Sequence, residues 1–186
     1  MIGCCGPMTP SHELPLSNSQ VQSLIHHQHK NNVPVAFVDG SFNRDQKRYG
    51  SGIVLCLPPT PHGGKYGNKP TKHAWATSGS HPAFVPCHSA AGELLAVLEA
   101  VRFAKQHDYP NLTIVTDFRV AHYFVTDQSK PKSEVSRFYT QEFRKLSSHV
   151  HTTFQFVKSH SDIPFHDKAD CLARRAAGLP PRVVQS

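Results

Sequence analysis

Asp39, Glu93, Asp117 and Asp170 are the residues whose types and spacing suit chemistry in this sequence. Asp39 closes an apolar run, PVAFVD, and a Gly-Ser pair follows it. Asp117 closes a second β-rich run, LTIVTD. Glu93 falls in the first turns of a long helical pattern, and Asp170 falls near the start of the last one. If the two runs form neighbouring parallel strands, the aspartates end side by side. Helix starts packed at the same edge then bring the other two acids to them. Two unit charges about 4 Å apart at an effective dielectric near 20 repel by roughly 4 kcal/mol. That is large against a stability of about 5–15 kcal/mol. Such a cluster must protonate, spread into solvent or bind cations. Oxygen-only ligands favour hard ions, Mg²⁺ first and Mn²⁺ second. Two ions roughly 3.5–4 Å apart are the apparatus of in-line phosphoryl displacement. Each acid alone has an ordinary explanation. An Asp before Gly starts turns, a Glu early in a helix complements the dipole, and an Asp on a helix flank is solvated. The joint pattern carries the chemical reading.

The elements that must position these acids follow from periodicity and turn signals. Ser17, with Gln20 as capping-box partner, opens a short helix whose apolar stripe is Val21, Leu24 and Ile25. A strand over 33–39, a turn over 43–47 and a partner strand over 49–57 make a hairpin. A Pro- and Gly-rich insertion over 58–72 precedes a third strand at 73–80. Helices are expected over 89–107, 119–125, 133–146 and 169–177, and strands over 112–116 and 152–157. The order predicts an α/β domain with a mixed five-stranded sheet. A three-stranded antiparallel meander joins parallel strands, with helices on both faces. Residues 1–32 are expected to be a tail with a short helix, 33–178 the domain and 179–186 a second tail.

The chain has 186 residues, of which 38% are apolar, enough for one core. No apolar run approaches the roughly 18 residues of a membrane span, and no export signal stands at the start. The five cysteines are odd in number and form no CxxC, which points to a reducing compartment, the cytoplasm. A net charge of +7 and a pI of about 9.3 favour a polyanionic partner. His26, His27 and His29 lack the companions that would complete a zinc tetrahedron, so they read as a solvated helix face.

FVDGSFN with YGSGIVL, SAAGELLAVLEAVRFA, LTIVTDFRVAHYF and FVKSHSDIPFHDKADCLARRA, in that order, resemble the type 1 ribonucleases H, closest to their bacterial-type members. The resemblance covers about residues 34–177. It implies a ribonuclease H-like fold and a monomer that cuts the RNA strand of RNA–DNA hybrids, leaving a 3′-hydroxyl and a 5′-phosphate. It implies Asp39, Glu93, Asp117 and Asp170 as ligands of two metal ions, and His160 as a mobile auxiliary residue. His160 reads as a proton carrier near the attacking water or leaving group. Asp167 is the rival to Asp170, which is favoured because Ala-Asp-x-Leu-Ala sets it beside Leu172. Gly40, Ser41, Asn43 and the backbone at Gly92 stand near enough to help hold the duplex. Lys130 and Lys132 are placed to track phosphates. A hybrid read by shape and 2′-hydroxyls gives weak sequence preference.

The sequence departs from the common pattern at three positions. Phe118 stands where many members have a small polar residue, Asp162 where Gly is common, and His166 where Asn is common. Two other readings stay open: a DNA-directed nuclease or recombinase on the same fold, and a non-catalytic hybrid-binding module.

Overall fold

The computed structural model describes residues 14–59, 70–159 and 162–180. Ten elements follow one another: α1 (Asn18–Lys30), β1 (Val35–Asn43), β2 (Arg48–Leu57), β3 (Thr71–Gly79), α2 (Ser89–Gln106), β4 (Asn111–Thr116), α3 (Arg119–Val125), α4 (Glu134–Ser147), β5 (His151–Phe156) and α5 (Pro164–Ala176). A single 3₁₀ turn, Val85–Cys87, precedes α2. The strands form one sheet in the order β3-β2-β1-β4-β5. The β1–β2 and β2–β3 pairs are antiparallel, and the β1–β4 and β4–β5 pairs are parallel. This is the mixed five-stranded α/β sheet that the element order predicts.

Alternation along the central strands divides the core between two faces. Ala36, Val38, Ile53 and Leu55 pack with Leu94, Leu98 and Val101 of α2 and Tyr139 and Phe143 of α4. Val35, Phe37, Val54 and Cys56 pack with Val21 of α1 and with Ile163 and Ala169 beside α5. Helices therefore cover both faces. The segment expected to be a tail carries α1 against the sheet. Ser17 and Gln20 close a capping box at its start, Leu16 bridges Val157, and His29 Nε2 lies 3.1 Å from the Cys56 carbonyl.

Two boundaries differ from the sequence reading, and both bear on the acids. Asp39 does not end its strand: β1 runs on to Asn43, and Asp39 pairs with Gly52 of β2. Gly40 and Ser41 are strand residues rather than a turn. The turn lies beyond Asn43, whose Oδ1 accepts from the Asp45 and Gln46 amides at 3.1 Å each. What ends near Asp39 is the parallel pairing, whose last partners are Phe37 and Val115. The last helix begins at Pro164, five residues before the expected start, so Asp170 lies in its second turn. Proline suits a first helical position because its missing N–H has no acceptor there and its φ is already helical.

Candidate active site

Asp39 and Asp117 sit one step beyond the point where β1 and β4 stop pairing. With Phe37 opposite Val115, each aspartate is two residues further along its own chain, so both side chains leave the same edge in register. Glu93 comes from α2, which lies against the backbone of β1. A Cβ on Gly40 would stand 2.3 Å from the Glu93 amide nitrogen and 2.4 Å from the Ser89 carbonyl oxygen. Only glycine permits that approach. Ser51 Oγ donates to the Gly92 carbonyl at 2.7 Å and pins the same turn of α2. On the opposite face, α5 lies equally close to β2. A Cβ on Gly52, the partner of Asp39, would stand 1.9 Å from the Ala169 carbonyl oxygen. Asp170 follows that contact by one residue. The two helices thus grip the hairpin from both sides at the level of Asp39.

The acids that result are crowded and mostly buried. Asp39, Glu93 and Asp117 each present an oxygen within 4.8 Å of the others. Asp39, Glu93 and Asp170 are buried, with 8%, 7% and 8% of their surface exposed. Burial pushes the Asp39 carboxyl up to about 6; the hydrogen bond with Glu93 and the charge of His166 oppose the rise, and Asp117 and Asp170 add to it. Burial first, then the charge and hydrogen bond of Asp39, then the charge of Asp117, hold Glu93 well above the usual carboxylate range. Both carboxyls are thereby harder to ionise than an exposed acid. Asp39 Oδ1 accepts from the Gly40 amide at 2.7 Å.

Asp117 is the outer member of the cluster. Its Oδ2 accepts a hydrogen bond from Ser159, and its Oδ1 lies 3.9 Å from Nε2 of the buried His166. Glu93 Oε2 and His166 Nε2 are both buried without a hydrogen-bond partner among the described residues. Crowded, mostly buried carboxylates, one with an oxygen that has no partner among the described residues, are the donor set of a divalent cation. The residues present therefore fit a metal site.

The other expected site residues fall in different places. Asp170 acts on Asp39 through its charge but is not one of the three acids within 4.8 Å. Asp167, its rival, is exposed in the first turn of α5. His160 lies outside the described residues. Ser41 and Gly92 are buried, and Asn43 donates to the Gly178 carbonyl at 3.1 Å. Lys130 and Lys132 are exposed in the connection between α3 and α4. Phe118, half-buried, stands at the N-terminal end of α3. Sequence reasoning passed over Ser159, because a loop serine carries no signal of its own. It noted His166 only as a departure.

The family model described as reverse transcriptase-like matches residues 37–176. No curated protein matches the chain in sequence. Among solved structures, the RNase H1 of the halophilic archaeon Halobacterium salinarum is similar at TM-score 0.58 and 16% identity, over 77% of this chain and 96% of that one. An N-terminal RNase H domain from Mycobacterium tuberculosis, solved as a fusion with maltose binding protein, is similar at 0.57 and 14%, over 78% and 93%. LC9-RNase H1, a type 1 RNase H with the type 2 active-site motif, is similar at 0.61 and 18%, over 79% and 72%. These likenesses establish the ribonuclease H-like fold. The family match spans both β1 and α5, the elements that bear Asp39 and Asp170, and with it the chain belongs to the reverse transcriptase-like family.

Proposed function

We propose that this protein is a ribonuclease H, a hydrolase that cuts the RNA strand of RNA–DNA hybrids with the help of divalent ions. The observation that carries the reading is the meeting of Asp39, Glu93 and Asp117 within 4.8 Å on a ribonuclease H-like sheet. Asp39 and Asp117 would share two ions, with Glu93 completing one site and Asp170 the other. Bound Mg²⁺ or Mn²⁺ would make water a nucleophile at neutral pH and stabilise the leaving oxygen. In the cleavage, water oxygen bonds to phosphorus and the P–O3′ bond breaks. The O3′ leaves as a 3′-hydroxyl and the phosphate stays on the 5′ side. His160 would carry a proton between water, leaving group and solvent. Ser159 would hold Asp117 by its hydrogen bond and so fix the direction of that carboxylate.

The hybrid would lie across the edge where β1 and β4 part. Gly40, Ser41, Asn43 and the Gly92 backbone would shape the floor of that edge, and the exposed Lys130 and Lys132 would meet the backbone phosphates further out. Among the described residues no helix is long and apolar enough to cross a membrane. Cys56, Cys87 and Cys171 are free thiols, which fits a reducing compartment such as the cytoplasm, where the chain would work as a monomer.

The test is end-labelled RNA–DNA hybrid with Mg²⁺, set beside single-stranded RNA, double-stranded RNA and double-stranded DNA. The expected outcome is cutting of the hybrid's RNA strand alone. Cutting of branched or double-stranded DNA with the hybrid spared would favour a DNA-directed enzyme. Hybrid binding without cleavage would make the chain a binding module.

A further inference from the structure

His166 is a polar side chain that the hydrogen bonds of the fold do not use. It lies in the first turn of α5, is 3% exposed, and its Nε2 has no hydrogen-bond partner among the described residues. A buried, unpaired polar group costs about 1–3 kcal/mol. Packing alone would be served better by an apolar residue of similar size.

Its surroundings indicate a use. Nε2 lies 3.9 Å from Asp117 Oδ1. Two donors each about 2.1 Å from one ion stand at most roughly 4.2 Å apart, so the observed separation is within reach of a shared ion. His166 and Asp170 are four residues apart on α5 and both are buried, which puts them on one face of the helix. His166 is not part of the Asp39–Glu93–Asp117 triad. It meets the cluster from the α5 side, with Asp170.

We propose that His166 is a nitrogen ligand: with Asp117 it gives one of the two ions a mixed nitrogen–oxygen environment that takes Mn²⁺ ahead of Mg²⁺. This rests on the reading that the carboxylates hold two ions. Imidazole adds little for Mg²⁺, which is served by oxygen. It adds affinity along the series that begins with Mn²⁺ and rises through Fe²⁺, Co²⁺ and Ni²⁺. The common Asn at this position would offer an amide oxygen instead, so the departure at 166 becomes a change of metal preference.

The experiment is electron spin-echo spectroscopy of Mn²⁺ added to the full chain without substrate, together with Mn²⁺ and Mg²⁺ binding titrations. The wild-type protein is expected to show nitrogen modulation from a directly bound imidazole. His160→Ala should keep that modulation and His166→Asn should lose it. His166→Asn should weaken Mn²⁺ at one site by about 10–100-fold, and Mg²⁺ by less than about 3-fold. Bound Mn²⁺ without nitrogen modulation in the wild type overturns the proposal, whether or not the variant folds. Modulation that survives His166→Asn but not His160→Ala overturns it as well. No Mn²⁺ binding by the wild type at all would instead remove the two-ion reading beneath it. Hybrid cleavage measured in parallel separates the two failures.

Discussion

At the centre of the sheet Asp39, Glu93 and Asp170 are buried beside acids of their own sign, while around α4 Arg102, Arg144 and Lys145 stand at the surface beside acids of the opposite sign. Arg144 meets Asp127 at 2.7 Å, Lys145 meets Glu142 at 2.7 Å, and Arg102 meets Glu99 at 3.0 Å. The surface pairs are satisfied and screened, and such pairs contribute about 0–1 kcal/mol each. The central acids instead lie beside carboxylates of their own sign, whose charges add to burial in raising the pKa of Asp39 and Glu93. Two of them have pKa values displaced upward, chiefly by burial. A fold that pairs its surface charges but crowds its central ones has placed stored repulsion where a cation can relieve it. The contrast separates charges that decorate from charges that work.

The largest effect should come from removing central charge. Asp39→Asn or Asp117→Asn should lower hybrid cleavage by about 10³-fold, near 4 kcal/mol in the barrier, with the far-ultraviolet circular dichroism unchanged. A variant that cuts within a few-fold of wild type would place the chemistry elsewhere.

Next comes the scaffold that crowds those charges. Gly52→Val puts a side chain where a Cβ alone would stand 1.9 Å from the Ala169 carbonyl oxygen. It should lose about 3 kcal/mol or more of stability by urea unfolding, because backbone has to move. An unchanged midpoint would show that α5 does not press on β2 at this residue.

The third prediction concerns pH. Asp39 is raised from 3.8 to about 6 in the fold, so between those values the folded state binds more protons than the unfolded one. Stability from this group is then present at low pH and lost as pH rises through about 6. Measured without metal, the stability of wild type relative to Asp39→Asn should fall across that window by up to about 3 kcal/mol and then level off. A difference that stays flat would mean that Asp39 ionises as an exposed aspartate does, and one that rises with pH would mean that the fold lowers its pKa.

The smallest effect should come from the surface. Arg144→Ala breaks the pair with Asp127, yet both side chains are largely exposed, so stability should change by less than about 0.5 kcal/mol. A larger loss would erase the distinction between the two regions.

Much of this arrangement is legible in the sequence. The helix over 119–125 and the capping box at Ser17 stand where local patterns place them, because short-range signals decide both. The four acids of interest are visible as acids that interrupt or follow apolar runs. Less legible is what depends on neighbours. The continuation of β1 past Asp39 is set by its long antiparallel partner, which pairs all nine of its residues. The early start of α5 is hidden because His166 and Asp170, polar residues, occupy inward positions where the apolar stripe should be read. Gly40 looks like a turn residue and Gly52 like an ordinary strand position, but their purpose is the close approach of two helices, which no single strand encodes. Ser159 acquires a role only when the end of β5 reaches Asp117.

The most direct measurement is calorimetric titration of Mn²⁺ into the metal-free protein near pH 7, run in two buffers of different ionisation enthalpy. Burial and mutual charge make Asp39 and Glu93 hold protons more tightly than exposed acids do, and metal ligands bind deprotonated, so a cation that binds here should displace protons. The expected result is binding with proton release, less release from Glu93→Gln, and sharply weakened binding by Asp39→Asn. Absence of binding at millimolar Mn²⁺, or binding that is indifferent to Glu93→Gln and Asp39→Asn, would contradict a metal centre at these carboxylates.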